Sequence, residues 1–240
     1  PLAGGSSLTI TGTGFVTGAT VSVGGQACTG LTVDSATQIT CSTQAHVAGI
    51  VDVVVTNVDT QTATLSNSFT FQAAPSLSSI SPVAGPVTGG TALTLTGSGF
   101  LTGATVTIDG LSCASTTVVS PTQITCTTPG HAAGAVDVIV RNADAQSSTL
   151  SSAYTYQVAP VLASVSPTEG ALAGGTTITL TGTGFVTGAS VTVGGSNCTS
   201  FNLVSATQAT CVTPANSAGA EDVVFTNADG QSTTLVNGYT

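Results

Sequence analysis

Charge is what this sequence most lacks. Its 240 residues hold one basic side chain, Arg141, against ten acidic ones, for a formal net charge of −9. About a quarter of the residues in a soluble domain are charged, so Thr, Ser, Asn and Gln must supply most of the solvation here. With a single base, the phosphate neutralisation that drives nucleic-acid binding is missing. Anionic membrane surfaces are disfavoured for the same reason. Tryptophan is absent, and seven Phe and three Tyr are few for a sugar-binding aromatic platform. Apolar residues reach 41% of the chain, yet they never form the run of about 20 that a membrane-spanning helix needs. No cleavable signal segment is visible, so secretion would require one upstream.

Repetition is what the sequence has in quantity. Phe15, Phe100 and Phe185 lie 85 residues apart, and the same step relates Asn57, Asn142 and Asn227. Cys28, Cys113 and Cys198 keep it, as do Cys41, Cys126 and Cys211. The chain therefore carries three copies of one module, and a repeat of this kind is the first thing to establish about a fold. The expected boundaries are 1–72, 76–157 and 161–240. Pro1 aligns with Pro86, so the first copy lacks the stretch reading PSLSSISPVAG in the second. Thr240 aligns with Thr155, so the third ends within its last strand. The expectation is a window on a longer array, or ends completed by a neighbour.

Within the complete second copy, TALTLTG alternates Leu93 and Leu95 with threonines, and ATVTIDG does the same with Val106 and Ile108. QITCTT places Ile124 and Cys126 on one face, and AVDVIVRN does so for Val136, Val138 and Val140. A period of two marks strands with one buried side, and Thr suits the exposed side of a pleat. Gly, Pro, Asn and Asp clusters separate the runs. Short alternating strands with frequent turns predict an all-β sandwich of about seven strands per module. The linkers AAPS (73–76) and VAPV (158–161) are short and contain Pro, which predicts an elongated, rather stiff rod.

The stretches ISPVAGPVTGGTALTLTGSGF and VSPTEGALAGGTTITLTGTGF resemble the IPT/TIG family of immunoglobulin-like domains. So do TCTTPG and TCVTPA, and after them VDVIVRNADAQ and EDVVFTNADGQ. The resemblance covers nearly the whole chain and implies an immunoglobulin-like sandwich in each copy. For function it implies several settings: receptor ectodomains, repetitive bacterial surface or filament proteins, accessory modules of sugar-processing enzymes, and DNA-contacting transcription factors. Fold does not choose among them. Gln44 departs from the Pro at positions 129 and 214, and Thr60 and Ala145 stand where Gly230 suits a turn.

Six cysteines in pairs 13 residues apart read as three intramodule disulfides: Cys28 with Cys41, Cys113 with Cys126, and Cys198 with Cys211. Such bridges imply an oxidising, extracellular compartment; reduced buried thiols are the alternative. No zinc-type spacing is present. GTGFVTG, with Gly12, Gly14 and Gly18, comes close to a dinucleotide fingerprint. A strand comes next where that fingerprint needs a helix, so tight turns explain its glycines. Asp59, Asp144 and Asp229 recur in one turn and fit Asx hydrogen bonding, with calcium near module junctions as the other option. Asp52, Asp137 and Asp222 sit in mid-strand and are expected to be solvated. His46 and His131 occupy equivalent loops without an acidic neighbour in sequence and read as solvated bystanders. Asn197-Cys198-Thr199 has the form of an N-glycosylation acceptor. No catalytic constellation, cofactor site or metal site is identified.

The expected function is therefore structural: a segment of an extracellular or cell-surface fibre, stalk or adhesin. Its partners would be other copies of itself or neighbouring repeats of a longer chain, joined in one version by β-strand complementation. The alternative is a carbohydrate- or protein-binding accessory module of a secreted enzyme or receptor. Neither reading involves nucleic acid or membrane insertion, and neither makes the chain an enzyme.

Overall fold

The computed structural model describes all 240 residues as three β-sandwiches in tandem, with no helix. Module 1 contains β1 (Ser7–Thr11), β2 (Thr20–Val23), β3 (Gln26–Ala27), β4 (Thr29–Ser35), β5 (Gln38–Ser42), β6 (Gly49–Thr56) and β7 (Thr62–Phe71). Module 2 contains β8 (Ser76–Ser81), β9 (Ala84–Pro86), β10 (Ala92–Ser98), β11 (Thr105–Ile108) and β12 (Leu111–Ser112). It continues with β13 (Ala114–Ser120), β14 (Gln123–Thr127), β15 (Gly134–Arg141) and β16 (Ser147–Gln157). Module 3 contains β17 (Val161–Ser166), β18 (Thr177–Thr183), β19 (Ser190–Val193) and β20 (Ser196–Asn197). Its remaining strands are β21 (Thr199–Ser205), β22 (Gln208–Val212), β23 (Glu221–Thr226) and β24 (Ser232–Tyr239).

In module 2 one sheet has the order β13-β14-β10-β8 and the other β12-β11-β15-β16-β9. Every pairing is antiparallel except β9, which adds to β16 in parallel. Modules 1 and 3 repeat the plan, with β1-β5-β4 facing β3-β2-β6-β7, and β17-β18-β22-β21 facing β20-β19-β23-β24. The apolar members of each alternating run point between the sheets. Leu93, Leu95, Val106, Ile108, Ile124, Val138 and Val140 are all buried in module 2, while the intervening threonines lie on the outer faces. All the extensive strand–strand packing lies within single modules.

Module 2 has nine strands, two more than the alternation indicated. The additions are β9 and β12, too short to show a period of two. β12 arises because Asp109 and Gly110 both have positive φ (47° and 79°), as a two-residue hairpin turn demands. Gly24-Gly25 and Gly194-Gly195 make the same turn in the other modules.

The mid-strand aspartates are not simply solvated. Between Val136 and Val138 the β15–β16 register slips, and Ser152 on the opposing strand takes a left-handed φ of 49°. Ser152 N then donates to Asp137 Oδ1 at 2.7 Å. Asn67 N and Asn237 N donate to Asp52 and Asp222 in the same way, each at 2.8 Å. The carboxylate thus satisfies an amide that the bulge removes from the ladder. Replacing Asp137 with Ala is expected to cost module 2 about 1 kcal/mol, whereas Asp137→Asn retains an acceptor and costs less. Urea unfolding followed through the emission of Tyr154 and Tyr156 checks this ordering.

Candidate functional site

The glycine-rich turn closes on an asparagine, with no room assigned to a nucleotide. Asn142 Nδ2 donates to Gly99 O (2.8 Å), and Asn142 Oδ1 accepts from Leu101 N (3.1 Å). Asn227 clamps Gly184 O (2.8 Å) and Val186 N (3.1 Å), and both asparagines are almost fully buried. Asn57 makes the same pair of bonds to Gly14 O and Val16 N, the second stretched to 3.4 Å. Each turn runs directly into a strand, β2, β11 or β19. The glycine carbonyl therefore bonds to a side-chain amide, and no helix N-terminus is there to receive an anion.

The recurrent turn aspartates form Asx turns: Asp59, Asp144 and Asp229 each accept from the backbone N of the Gln two residues on, at 3.1 to 3.2 Å. The middle residue has positive φ in all three, including the non-glycines Thr60 (69°) and Ala145 (68°). The glutamine has a second role that only the fold reveals. Gln146 Nε2 donates to Asp144 Oδ2 (2.7 Å) and, across the module boundary, to Gln72 O (3.1 Å). Gln231 Nε2 repeats this with Asp229 Oδ2 (2.6 Å) and Gln157 O (3.1 Å). Gln61, the counterpart in module 1, bonds to Asp59. A cavity of about 390 Å³ at the second junction is lined by Pro82, Val83, Gln157, Thr187, Ala228 and Asp229.

Each cysteine pair meets where the chain passes from one sheet to the other. Cys28 N bonds to Val21 O in one sheet (2.8 Å), and the next residue, Thr29, pairs with Ser42 in the other. Cys113 and Cys198 are placed identically, bonding to Val106 O and Val191 O. Cys41, Cys126 and Cys211 lie buried on β5, β14 and β22. The six sulfurs are thiols in this structure, and within each pair they lie in hydrogen-bonding reach. Burial, with a lesser contribution from Cys28, pushes the Cys41 thiol up to about 12. Hydrogen bonding with Cys113 and with Cys198 raises Cys126 and Cys211 well above the ordinary thiol range. The same bonds lower Cys113 and Cys198.

His131 does have an acidic partner, contrary to the expectation from sequence. Its Nε2 lies 3.0 Å from Asp109 Oδ2, and its ring packs against Tyr156. Asp109 is 22 residues away and reaches His131 only through the hairpin turn. Gly24 occupies the equivalent place in module 1, so His46 lacks that carboxylate and shares only the ring contact, stacking on Phe71 as His131 packs on Tyr156. Asn197 is exposed on the two-residue strand β20. None of the ten aromatic rings is exposed: eight are buried, and Phe69 and Phe201 are half-buried.

The IPT/TIG domain profile matches residues 1–73, 75–158 and 160–240, so the chain belongs to the IPT/TIG domain family, as three members in tandem. It is 33% identical over 228 residues to mouse Fibrocystin-L, covering 93% of this chain and 5% of that protein. It is 30% identical over 169 residues to Plexin-2 of Caenorhabditis briggsae, covering 69% of this chain and 10% of the relative. The chain thus spans a small fraction of the length of these relatives. Among solved structures it is similar to the full extracellular region of plexin A4, with a TM-score of 0.46 and 25% identity over 92% of this chain and 20% of that one.

The raised Cys41 thiol gives a pH signature. An acid whose pKa is higher in the fold than in the unfolded chain stabilises below the unfolded value and loses that contribution as pH rises toward the folded one. For the reduced protein, the urea midpoint of module 1 is therefore expected to fall between about pH 9 and 12. Tracked by circular dichroism, the fall should be smaller once the cysteines are oxidised.

Proposed function

We propose that this chain is a non-catalytic spacer, one segment of an extracellular or cell-surface stalk built from tandem modules. The observation that carries the reading is the same glutamine bridge at both junctions, 3.1 Å to Gln72 O and 3.1 Å to Gln157 O. A linker of four residues containing Pro already limits the relative swing of two modules. Adding a hydrogen bond from a side chain itself held by an Asx turn fixes the angle further. Repeating that joint at a constant 85-residue step propagates one geometry along the chain, which is what a stalk requires.

The cysteines bear on the compartment. Each pair closes to a disulfide by losing two protons and two electrons to an oxidant of the secretory route, a disulfide-donating oxidoreductase or dioxygen. The chain-entropy model gives about 3 kcal/mol for sealing a loop of this size. The Cys113 and Cys198 thiols, lowered by their partners, favour the thiolate that begins such exchange. The partners of the stalk are neighbouring modules of a longer polypeptide or other copies of the chain, and a surface this poor in charge offers little repulsion against lateral packing.

Small-angle scattering tests the joint. The wild-type chain is expected to give the profile of one extended particle with a narrow range of shapes. A Gln146→Ala, Gln231→Ala double variant should broaden that range while each module stays folded. A compact wild-type particle, or joints equally loose with and without the glutamines, contradicts the spacer reading.

A further inference from the structure

The charged side chains are divided unevenly between the two sheets of each module. Of the ten acids and the single base, only Asp34 lies on the sheets β1-β5-β4, β13-β14-β10-β8 and β17-β18-β22-β21. In modules 2 and 3 this sheet carries no charge at all. Asp137, Arg141, Glu221 and Asp222 sit on strands of the opposite sheet, and Asp109, Asp144 and Asp229 in the turns between its strands.

What the neutral sheet presents instead is hydroxyl in rows. Ser81, Thr94, Thr125 and Thr117 follow one another across the four strands of module 2. Module 3 repeats the row through Ser166, Thr179 and Thr210. None of these side chains is buried. A hydroxyl both donates and accepts, so such a row can meet a copy of itself, which a row of carboxylates cannot. Three large apolar residues also stand exposed on these strands: Val119 on β13, Val161 on β17 and Val204 on β21, at 53% to 56%.

Area decides how such a face is used. Four strands about 4.8 Å apart, each of five to seven residues at about 3.3 Å, make a face of roughly 400 Å² per module. A standard interface takes about 800 Å² from each partner. One sheet falls short of that, and the sheets of modules 2 and 3 together reach it.

We infer that the neutral sheets of modules 2 and 3 form the docking face for a second copy of this chain. Two stalks lie antiparallel about a two-fold axis, module 2 of one against module 3 of the other. A two-fold contact is self-complementary, as the hydroxyl rows are, and it turns the acidic sheets of both copies outward. Module 1, where Asp34 stands in place of Val119 and Val204, lies beyond the contact. The inference rests on the spacer reading and names the surface through which copies pack.

Sedimentation equilibrium of the 240-residue chain tests it, with the fold of each variant checked by circular dichroism. The wild type is expected to show a reversible monomer–dimer equilibrium. A Val119→Asp, Val204→Asp variant copies a side chain that module 1 already carries as Asp34. It should weaken the dimer about tenfold or more, because the contact sets uncompensated carboxylates against a neutral face. A Thr149→Asp, Thr234→Asp variant adds the same charge to exposed positions of the opposite sheet and should leave the dissociation constant unchanged. A monomeric wild type, an assembly that ignores the first variant, or equal weakening by both overturns the inference. An extended monomer in solution scattering would do so while leaving the spacer reading in place.

Discussion

Two sheets in each module must close over ten to fifteen buried apolar side chains, and that small core sets the terms for the rest of the structure. Domains of this size bury a modest share of their surface and are correspondingly marginal. Here the deficit is met at sheet crossings and at a bulge within one sheet. The asparagine clamp holds the entry to β2, β11 and β19, the aspartate holds the bulge opposite, and the cysteine pair sits at the crossing itself. The asparagine and the aspartate each use a short polar side chain to tie backbone that the ladder leaves free. Formal charge contributes little, since the one acid–base pair within 4 Å is His131 with Asp109.

Much of this was legible in the sequence because it is written in periods. Alternating Leu, Val and Ile against Thr marked the buried faces of β10, β11, β14 and β15, and the 85-residue step marked the tandem architecture. What escaped depends on contacts with no local signature. Asp137 looked like a solvated strand residue because nothing nearby in sequence marks Ser152, 15 residues on, as a left-handed bulge. Gln146 carries no signal of its role in the sequence, because its bond to Gln72 exists only once two modules are stacked. The pairing of His131 with Asp109 required a hairpin to bring them together. β9 and β12 are too short for any period.

The GTGFVTG turn shows how one spacing can serve unrelated chemistry. Glycine is needed in a phosphate loop so that backbone can approach a ligand, and here because Gly14, Gly99 and Gly184 take positive φ (74°, 69° and 73°) in a tight turn. The element after the loop decides the matter: a helix N-terminus would point amides at an anion, whereas a strand sends them into the sheet. The aromatic residues make a parallel case. With all ten rings in or against the cores, the flat exposed platform that a carbohydrate-binding module would use does not form on this chain.

The proposed disulfide at the sheet crossing is the most direct point of attack on the spacer reading, because a bridged module would resist extension differently from an open one. Single-molecule pulling of the 240-residue chain under oxidising and reducing conditions measures this. Three similar unfolding steps are expected, each lengthening on reduction by roughly 45 Å, the reach of about 13 extended residues. Steps of equal length in both conditions, or one module giving way without a resolved step, would contradict a stalk built from three stapled units.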